Sequence, residues 1–419
     1  MFDATFVILG SFCMGFARFF GRYELLIIGR ALVGVHAGIA GGIAPLYFAE
    51  LSPHQWRGAI GSVYQLTVVI SILLSQVFGL PRVLGGDDCW PLLLGGIILS
   101  PTLMFILLPW CPESPKFLLS KGSEQDARNA LIRLRGTKNI EIELKQISSE
   151  AEVTRGLPPV GLSNLLREPV LKKAFTISVM VVIGQQLSGI NAVMFYSTSI
   201  FGAAGFNQDA ATAATVGMSV VNVLCTAYSM VIIEKAGRRT LLLTGFMGMM
   251  ICTVILALSL GLLELHSMMS WTAVGGVMAF VIMFAIGPGS IPWFLVTELL
   301  PPAAQPIASS LCVATNWLCN AGIGMAFPIL MGFLSHNSFL VFTVLLTVFY
   351  IYIYRKLPET KGRTIEEITA YFSGVELVTT KRKDFALPVS IRCTTNVEDK
   401  CDCRGFVVID ACDVHHVEL

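Results

Sequence analysis

Ten stretches of this chain are each apolar over a length that crosses a hydrocarbon core as a helix, about 17–25 residues. They run near 4–20, 25–48, 58–80, 91–109, 173–201, 211–233, 240–263, 271–297, 304–328 and 333–355. In lipid every backbone donor and acceptor needs an internal partner, so such a chain folds as a bundle of helices. Charged residues are only 14% of the 419, against about a quarter in a soluble domain. The expected class is an all-α polytopic membrane protein. A net charge of +1 provides no field for nucleic acid. Eleven cysteines, seven in or beside apolar segments and four near the C-terminus, do not resemble a secreted disulfide framework. No charged segment precedes the first helix and no cleavage site follows it, so no signal peptide is expected. H-E-x-x-H, G-x-S-x-G and Walker sequences are absent, which argues against an enzyme, and no cofactor or metal is implied.

One apolar run carries a polar insertion: Gly184-Gln185-Gln186-Leu187-Ser188-Gly189-Ile190-Asn191. Polar side chains at membrane depth are costly and tend to mark function. At 100° per residue Gln185, Ser188, Tyr196 and Ser199 share one stripe, flanked by Gln186 and Asn191. Gly184 and Gly189 are places where that helix can bend. Uncharged amides and hydroxyls suit an uncharged, hydroxyl-rich solute. The alternative is that they bond neighbouring helices, as membrane Ser, Asn and Gln often do.

Charge rises between residues 111 and 172, where 126–134 reads as an amphipathic helix ahead of a Pro158-Pro159 breaker. Basic residues crowd this loop, the Glu234–Arg239 loop and the segment after Arg355, placing all three on the cytoplasmic side. The connections near 203–210, 264–270 and 334–338 hold no Lys or Arg and are expected outside. Arg18 and Arg22 are exceptions, since alternation puts their loop outside too; Asp87 and Asp88 lie in another outer loop beside Arg82.

The chain repeats itself. Glu50-Leu51-Ser52-Pro53 with Arg57 corresponds to Glu298-Leu299-Leu300-Pro301 with Gln305, at an offset of 248. Pro112-Glu113-Ser114-Pro115-Lys116 corresponds to Pro358-Glu359-Thr360-Lys361, at an offset of 246. Paired bundles with matching inner ends are the pattern of a duplicated transporter. The offset maps the helices near 173–201 and 211–233, and the Glu234–Arg239 loop, to positions before Met1. The first bundle is therefore expected to lack two helices, leaving four against six.

These motifs, with Gly29-Arg30, Gln185 to Asn191, Gly237-Arg238-Arg239, Gly287-Pro288-Gly289-Ser290-Ile291-Pro292-Trp293, Asn316-Trp317 and Pro358 to Thr364, carry a resemblance. Between about residues 5 and 370 the sequence resembles a facilitative glucose transporter, in the sugar porter branch of the major facilitator superfamily. The resemblance implies two pseudo-repeated helical bundles, with a family total of twelve helices. The expected parts are a truncated N-terminal bundle (1–110), a cytoplasmic helical loop (111–172), a six-helix C-terminal bundle (173–357) and a cytoplasmic, largely disordered tail (358–419).

By the same resemblance the hexose site takes Gln65, Gln185, Gln186, Asn191, Asn222, Trp293 and Asn316. Each amide is both donor and acceptor, as a sugar hydroxyl is, and Trp293 offers a flat apolar face. Packing is the competing role for Gln65, and is the expected one for Trp317. Ala285 stands where many of the family's glucose transporters carry a glutamate near the sugar, so one acceptor is absent. Gln186-Leu187-Ser188 matches the triplet of glucose-type members, favouring an aldohexose such as glucose or galactose.

Alternating access needs latches. Arg30, Glu50, Arg57 and Glu113 of the first bundle and Glu234, Arg238, Arg239, Glu298 and Glu359 of the second are expected to pair across the inner gap. Gln305 replaces the family's usual arginine, which weakens that latch. Pro288 and Pro292 inside a membrane segment predict a broken, hinge-like helix. Tyr196 reads either as an outer gate or as a buried aromatic with a satisfied hydroxyl. Lys381-Arg382-Lys383 is an ordinary charge run, and Cys401, Cys403, Cys412, His415 and His416 fit no standard zinc spacing. No N-x-[ST] acceptor occurs.

Three functions compete: a passive hexose uniporter at the cell membrane, a proton-coupled sugar symporter, and a transport-inactive isoform or fragment. Symport needs a titratable carboxylate in the membrane, and Asp3 is the one such residue within the ten spans. The expected partners are a hexose and membrane lipid. Nothing in the sequence speaks to oligomeric state.

Overall fold

The computed structural model describes residues 2–53, 56–155, 160–263 and 268–374. Pro158-Pro159, part of the 264–270 connection, and the chain beyond Gly374 with its Lys381–Lys383 run and Cys/His group lie outside the described residues.

The first bundle contains α1 (Ala4–Phe20), α2 (Glu24–Leu51), α3 (Arg57–Phe78) and a segmented fourth helix, α4 (Trp90–Gly95) continuing through a 3₁₀ turn into α5 (Leu99–Leu107). A connecting unit follows: α6 (Pro115–Ser120), α7 (Glu124–Arg135), α8 (Glu141–Arg155) and α9 (Leu162–Arg167). The second bundle contains α10 (Pro169–Leu187), α11 (Ile190–Ala203), α12 (Gln208–Ala236), α13 (Arg238–Gly261), α14 (Met268–Ile286), α15 (Ile291–Leu299), α16 (Gln305–Leu334) and α17 (Ser338–Lys356); α18 (Ile365–Ser373) ends the described chain.

Eight helical stretches among the described residues are long and apolar enough to span a membrane, and Ala4–Phe20 is a shorter apolar helix. The last of the eight, Gln305–Lys356, holds 52 residues. At 1.5 Å per residue that is roughly 78 Å, more than twice a hydrocarbon core of about 30 Å. The backbone resolves this at Ser335, whose φ of 49° turns the chain back and divides it into α16 and α17. Each of the ten expected spans therefore has its helix. The ninth runs past its expected end at 328, because α16 carries Pro328 within it and continues to Leu334.

Two spans are broken. Between α10 and α11, Gly189 adopts φ 92°, where a Cβ would also stand 2.8 Å from the Phe342 ring, so only glycine fits. Between α14 and α15, Gly287–Ser290 leaves the helix just before Pro292, as the two prolines predict. Gly184 lies in regular helix and serves close packing against Phe349 and Phe246.

The main core is in the second bundle, where Phe201, Phe246, Phe280, Phe294, Phe327, Phe339 and Phe342 are fully buried. There α13 packs on α14 and α17, while α1 packs on α2 and α4 in the first bundle. The bundles meet where α3 lies along α12 and where α15 and α16 touch α2. The connecting unit has its own small core of Leu119, Ala127, Leu131, Ile140 and Leu144. Its α7 is the amphipathic helix expected over 126–134. Arg135 anchors the unit to the first bundle, donating to the Leu51 carbonyl at 3.0 Å and to Glu143 at 2.6 Å.

Of the expected tail, residues 358–374 are described, and they carry a helix. α18 is closed by a capping box between Thr364 and Glu367. It docks through buried Ile368 and Phe372, and Lys173 Nζ donates to the Phe372 carbonyl at 3.0 Å. Arg18, an exception to the charge rule, is paired with Asp88 at 2.8 Å and bonds the Asp87 carbonyl.

Candidate functional site

A pocket opens where the bundles meet. It is lined by Gly41 of α2, Val182 and Gln185 of α10, Pro292, Trp293 and Val296 of α15, and Ser309, Cys312, Val313 and Asn316 of α16. The break at Gly287–Ser290 turns α15 so that Trp293 reaches the first bundle. Its Nε1 donates to Gln65 Oε1 at 2.9 Å, and its ring meets Tyr64 edge-on at 4.8 Å.

The break at Gly189 likewise gathers the amides. Gln186 Nε2 donates to Asn316 Oδ1, and Asn191 Nδ2 donates to Gln186 Oε1. Gln185 Nε2 holds the opposite break, donating to the carbonyls of Pro288 at 2.7 Å and Gly289 at 3.0 Å. Its Oε1 is buried without a partner. Gln65, Gln185, Gln186 and Asn316 are all at least nine-tenths buried. Each amide thus spends part of its hydrogen-bonding capacity on the protein and keeps part unspent.

Six of the seven expected sugar residues share this region; Asn222 does not line the pocket. It is buried on α12 beside Thr226, whose Oγ1 lies 3.4 Å from its Oδ1. The expected stripe also fails: the Gly189 break and the non-helical Tyr196 (φ −115°) interrupt the 100° progression, and Ser199 is exposed. Tyr196 donates its hydroxyl to the Gly324 carbonyl at 2.9 Å and packs on Phe327, so the satisfied-aromatic alternative describes its present state. Trp317 is 41% exposed and outside the lining. Sequence reasoning missed Ser309 and Cys312, although their spacing of seven and four residues before Asn316 puts them on its helical face.

The charged end is knitted mainly within the second bundle. Arg238, 4% exposed, pairs with Glu298 at 3.0 Å and Glu234 at 3.3 Å. Thr360 donates to the other Glu298 oxygen at 2.5 Å. Glu359 accepts the backbone N–H groups of Arg238 (2.7 Å) and Arg239 (3.1 Å), the first turn of α13. Gly237, at φ 91°, admits it, since a Cβ there would stand 2.6 Å from the carboxylate. A negative group at a helix N-terminus satisfies free donors and the helix dipole together.

Among the described residues, a carboxylate on a helix end bridges the gap at the charged side. Glu234 Oε1 accepts the backbone N–H of Ala59 at 3.0 Å, in the first turn of α3, which has no side-chain cap of its own. The Arg57 side chain lies outside the described residues, and Glu50 and Glu113 are exposed; among the described residues neither has an ion pair to the second bundle. Arg30 is corrected outright. It lies 20 residues before Glu50 on the continuous α2, roughly 30 Å away, and so belongs to the opposite end. Gln305 donates to the carbonyls of Thr297 (3.1 Å) and Leu300 (2.9 Å), closing the α15–α16 turn instead of joining a latch.

Residues 1–372 match the family described as sugar (and other) transporter. The chain belongs to the sugar transporter family. Among its relatives in the family, solute carrier family 2, facilitated glucose transporter member 3 of Ovis aries is 42% identical over 368 residues, covering 88% of this chain and 74% of that protein. Facilitated glucose transporter member 1 of Gallus gallus is 41% identical over 365 residues, covering 87% and 74%. The solved structure of the major facilitator superfamily proton:xylose symporter XylE bound to 6-bromo-6-deoxy-D-glucose matches with a TM-score of 0.76 at 24% identity, covering 88% of this chain and 82% of that one. The fold is that of the major facilitator superfamily. This sugar transporter family member is a multi-pass membrane protein and not an enzyme.

Proposed function

We propose that the protein carries an aldohexose, glucose first, passively across the cell membrane by alternating access, with its charged end in the cytoplasm. The observation that carries this is the ring of half-used amides on a pocket between the bundles, with no carboxylate in its lining. Neutral hydrogen bonds of about 0.5–1.5 kcal/mol each select a sugar and still release it. Trp293 and Gln65 join the bundles across the pocket, and Glu234 closes the charged end against α3. Parting of the Glu234 contact, with flexing at Gly287–Ser290 and Gly189, opens the pocket inward. The names of the relatives support glucose, and the basic loops support a cytoplasmic charged end.

Proton coupling is the second reading, and one observation favours it. Asp3 Oδ2 stands 2.7 Å from His36 Nδ1, an acid–imidazole pair joining α1 and α2. The pair is not part of the pocket lining, so passive transport stands first. Uptake of labelled D-glucose into proteoliposomes, with L-glucose as control, is measured with and without an imposed pH gradient. Saturable uptake indifferent to the gradient is expected. Accumulation driven by the gradient replaces it with symport, and no uptake by folded protein refutes both.

A further inference from the structure

At the start of α15 a capping bond is unmade although both of its ends are present. Ser290 stands at the N-cap, where a side-chain oxygen ordinarily accepts the backbone N–H two or three residues on. Pro292 has no N–H, which leaves Trp293 as the partner in reach. Neither the Ser290 side chain nor a loop carbonyl bonds the Trp293 N–H among the described residues. The Ser290 hydroxyl is itself unpartnered, on a residue 1% exposed. A buried polar group left unbonded is costly. The backbone accounts for the gap. Where side chains cap helices elsewhere in the molecule, ψ is extended: 125° at Ser114, 164° at Asn207 and 162° at Thr364. At Ser290 φ is −95° and ψ −38°, a helical setting in which the cap does not close. Gln185 holds the break in this setting, donating to the carbonyls of Pro288 and Gly289 just before it.

We propose that Ser290 is a positioning residue of the α14–α15 hinge, its cap open while the charged end is closed and made when that end opens. Rotation of ψ at Ser290 toward the extended value reorients α15, with Trp293, on α14 and brings Oγ onto the Trp293 N–H. The closed form thus carries two unbonded polar groups that the open form pairs. The proposal rests on the alternating-access reading. Hydrogen–deuterium exchange of the reconstituted full-length protein tests it, read by mass spectrometry at the Ala59 amide, which Glu234 holds while the charged end is closed. Ser290→Ala removes the unpaired hydroxyl of the closed form and the cap of the open one, so both effects favour closure. Ala59 exchange should slow about two- to thirtyfold, the range of a lost cap. The Phe117 amide of the connecting unit should be unchanged and the melting temperature not lowered. Ser290→Cys, close in size and a weak acceptor, should follow alanine; Ser290→Thr, which keeps the hydroxyl, should exchange as the parent does. D-glucose uptake by Ser290→Ala should turn over more slowly without a higher half-saturating concentration, a split that a loosened fold does not produce. Unchanged Ala59 exchange in both the Ala and Cys variants overturns the hinge role and spares the transport reading in vesicles that take up glucose. So does a lowered melting temperature with exchange unshifted. Shifted exchange in vesicles without uptake keeps the hinge and removes the transport reading.

Discussion

In the second bundle the α10–α11 stretch is 67% buried over its most apolar window and α13 is 50% buried; in the first, α2 is 11% buried and the 90–110 stretch 6%. The contrast holds for one pair of repeat partners. α14–α15, which matches α2 at the offset of 248, is 39% buried, with α10, α11, α12 and α13 packed on it. α2 touches α1, α3, α6, α15 and α16 and buries only Gly29, Gly41 and Pro45. Chemistry follows burial. Of ten pocket-lining residues nine come from the second bundle, and the first supplies Gly41 directly and Gln65 through Trp293. Recognition is thus built into the second bundle, and the first works as the surface it closes against.

Arg238→Ala probes that division most severely. It leaves Glu298, 9% exposed, without its cation, and unpairing a buried charge costs about 3–5 kcal/mol. A large drop in melting temperature in detergent is expected, partly restored by adding Glu298→Gln. A melting point unchanged by the single substitution would show that the charged end does not hold the second bundle together. Gly189→Ala comes next. A residue forced to φ 92° costs about 1–3 kcal/mol before the Phe342 contact is counted. It should lower both the melting temperature and glucose affinity, because the break positions Gln185, Gln186 and Asn191. Affinity falling without stability would place the break in the site alone.

These two positions also mark what could be read from residues. Helix positions were legible because lipid forces apolar length, and Pro288 and Pro292 announced their break because neither offers a backbone donor. Gly189 was visible only as a place to bend, so a stripe drawn through it misassigned Ser199. The amides stood out because polar atoms are costly in hydrocarbon. Ser309 and Cys312 did not, since serine and cysteine are unremarkable in a membrane helix until a pocket is seen beside them. Charge named the latch residues but not their partners or depth. Arg30 was placed at the wrong end, and Glu234 was expected to meet a cation across the gap, where it holds a helix terminus and keeps its cation, Arg238, within its own bundle.

A smaller effect sharpens how the bundles share the site. Trp293→Phe keeps the ring and removes the hydrogen bond to Gln65, worth about 0.5–1.5 kcal/mol. Glucose affinity should weaken by roughly two- to twelvefold, Gln65→Leu should match it, and the double substitution should be no worse than either. Additive losses would mean that each residue meets the sugar independently and that the first bundle shares in recognition directly.

The smallest effect belongs to Arg18→Ala. Arg18 and Arg238 each pair with a carboxylate at about 3 Å, Asp88 at 2.8 Å and Glu298 at 3.0 Å. Distance alone would rank them equal. Their surroundings differ: the Arg18 and Asp88 side chains are 48% and 89% exposed, against 5% and 9% for Arg238 and Glu298. Water already solvates the first pair, so its attraction is screened and its loss should cost less than about 1 kcal/mol, diminishing further in salt. The expected result is a melting temperature almost unchanged by Arg18→Ala, with the small difference from the parent shrinking as salt is added. A loss approaching that of Arg238→Ala would mean that the contact between the Arg18 and Asp88 loops holds the first bundle together, and that its open faces do not reflect a looser half.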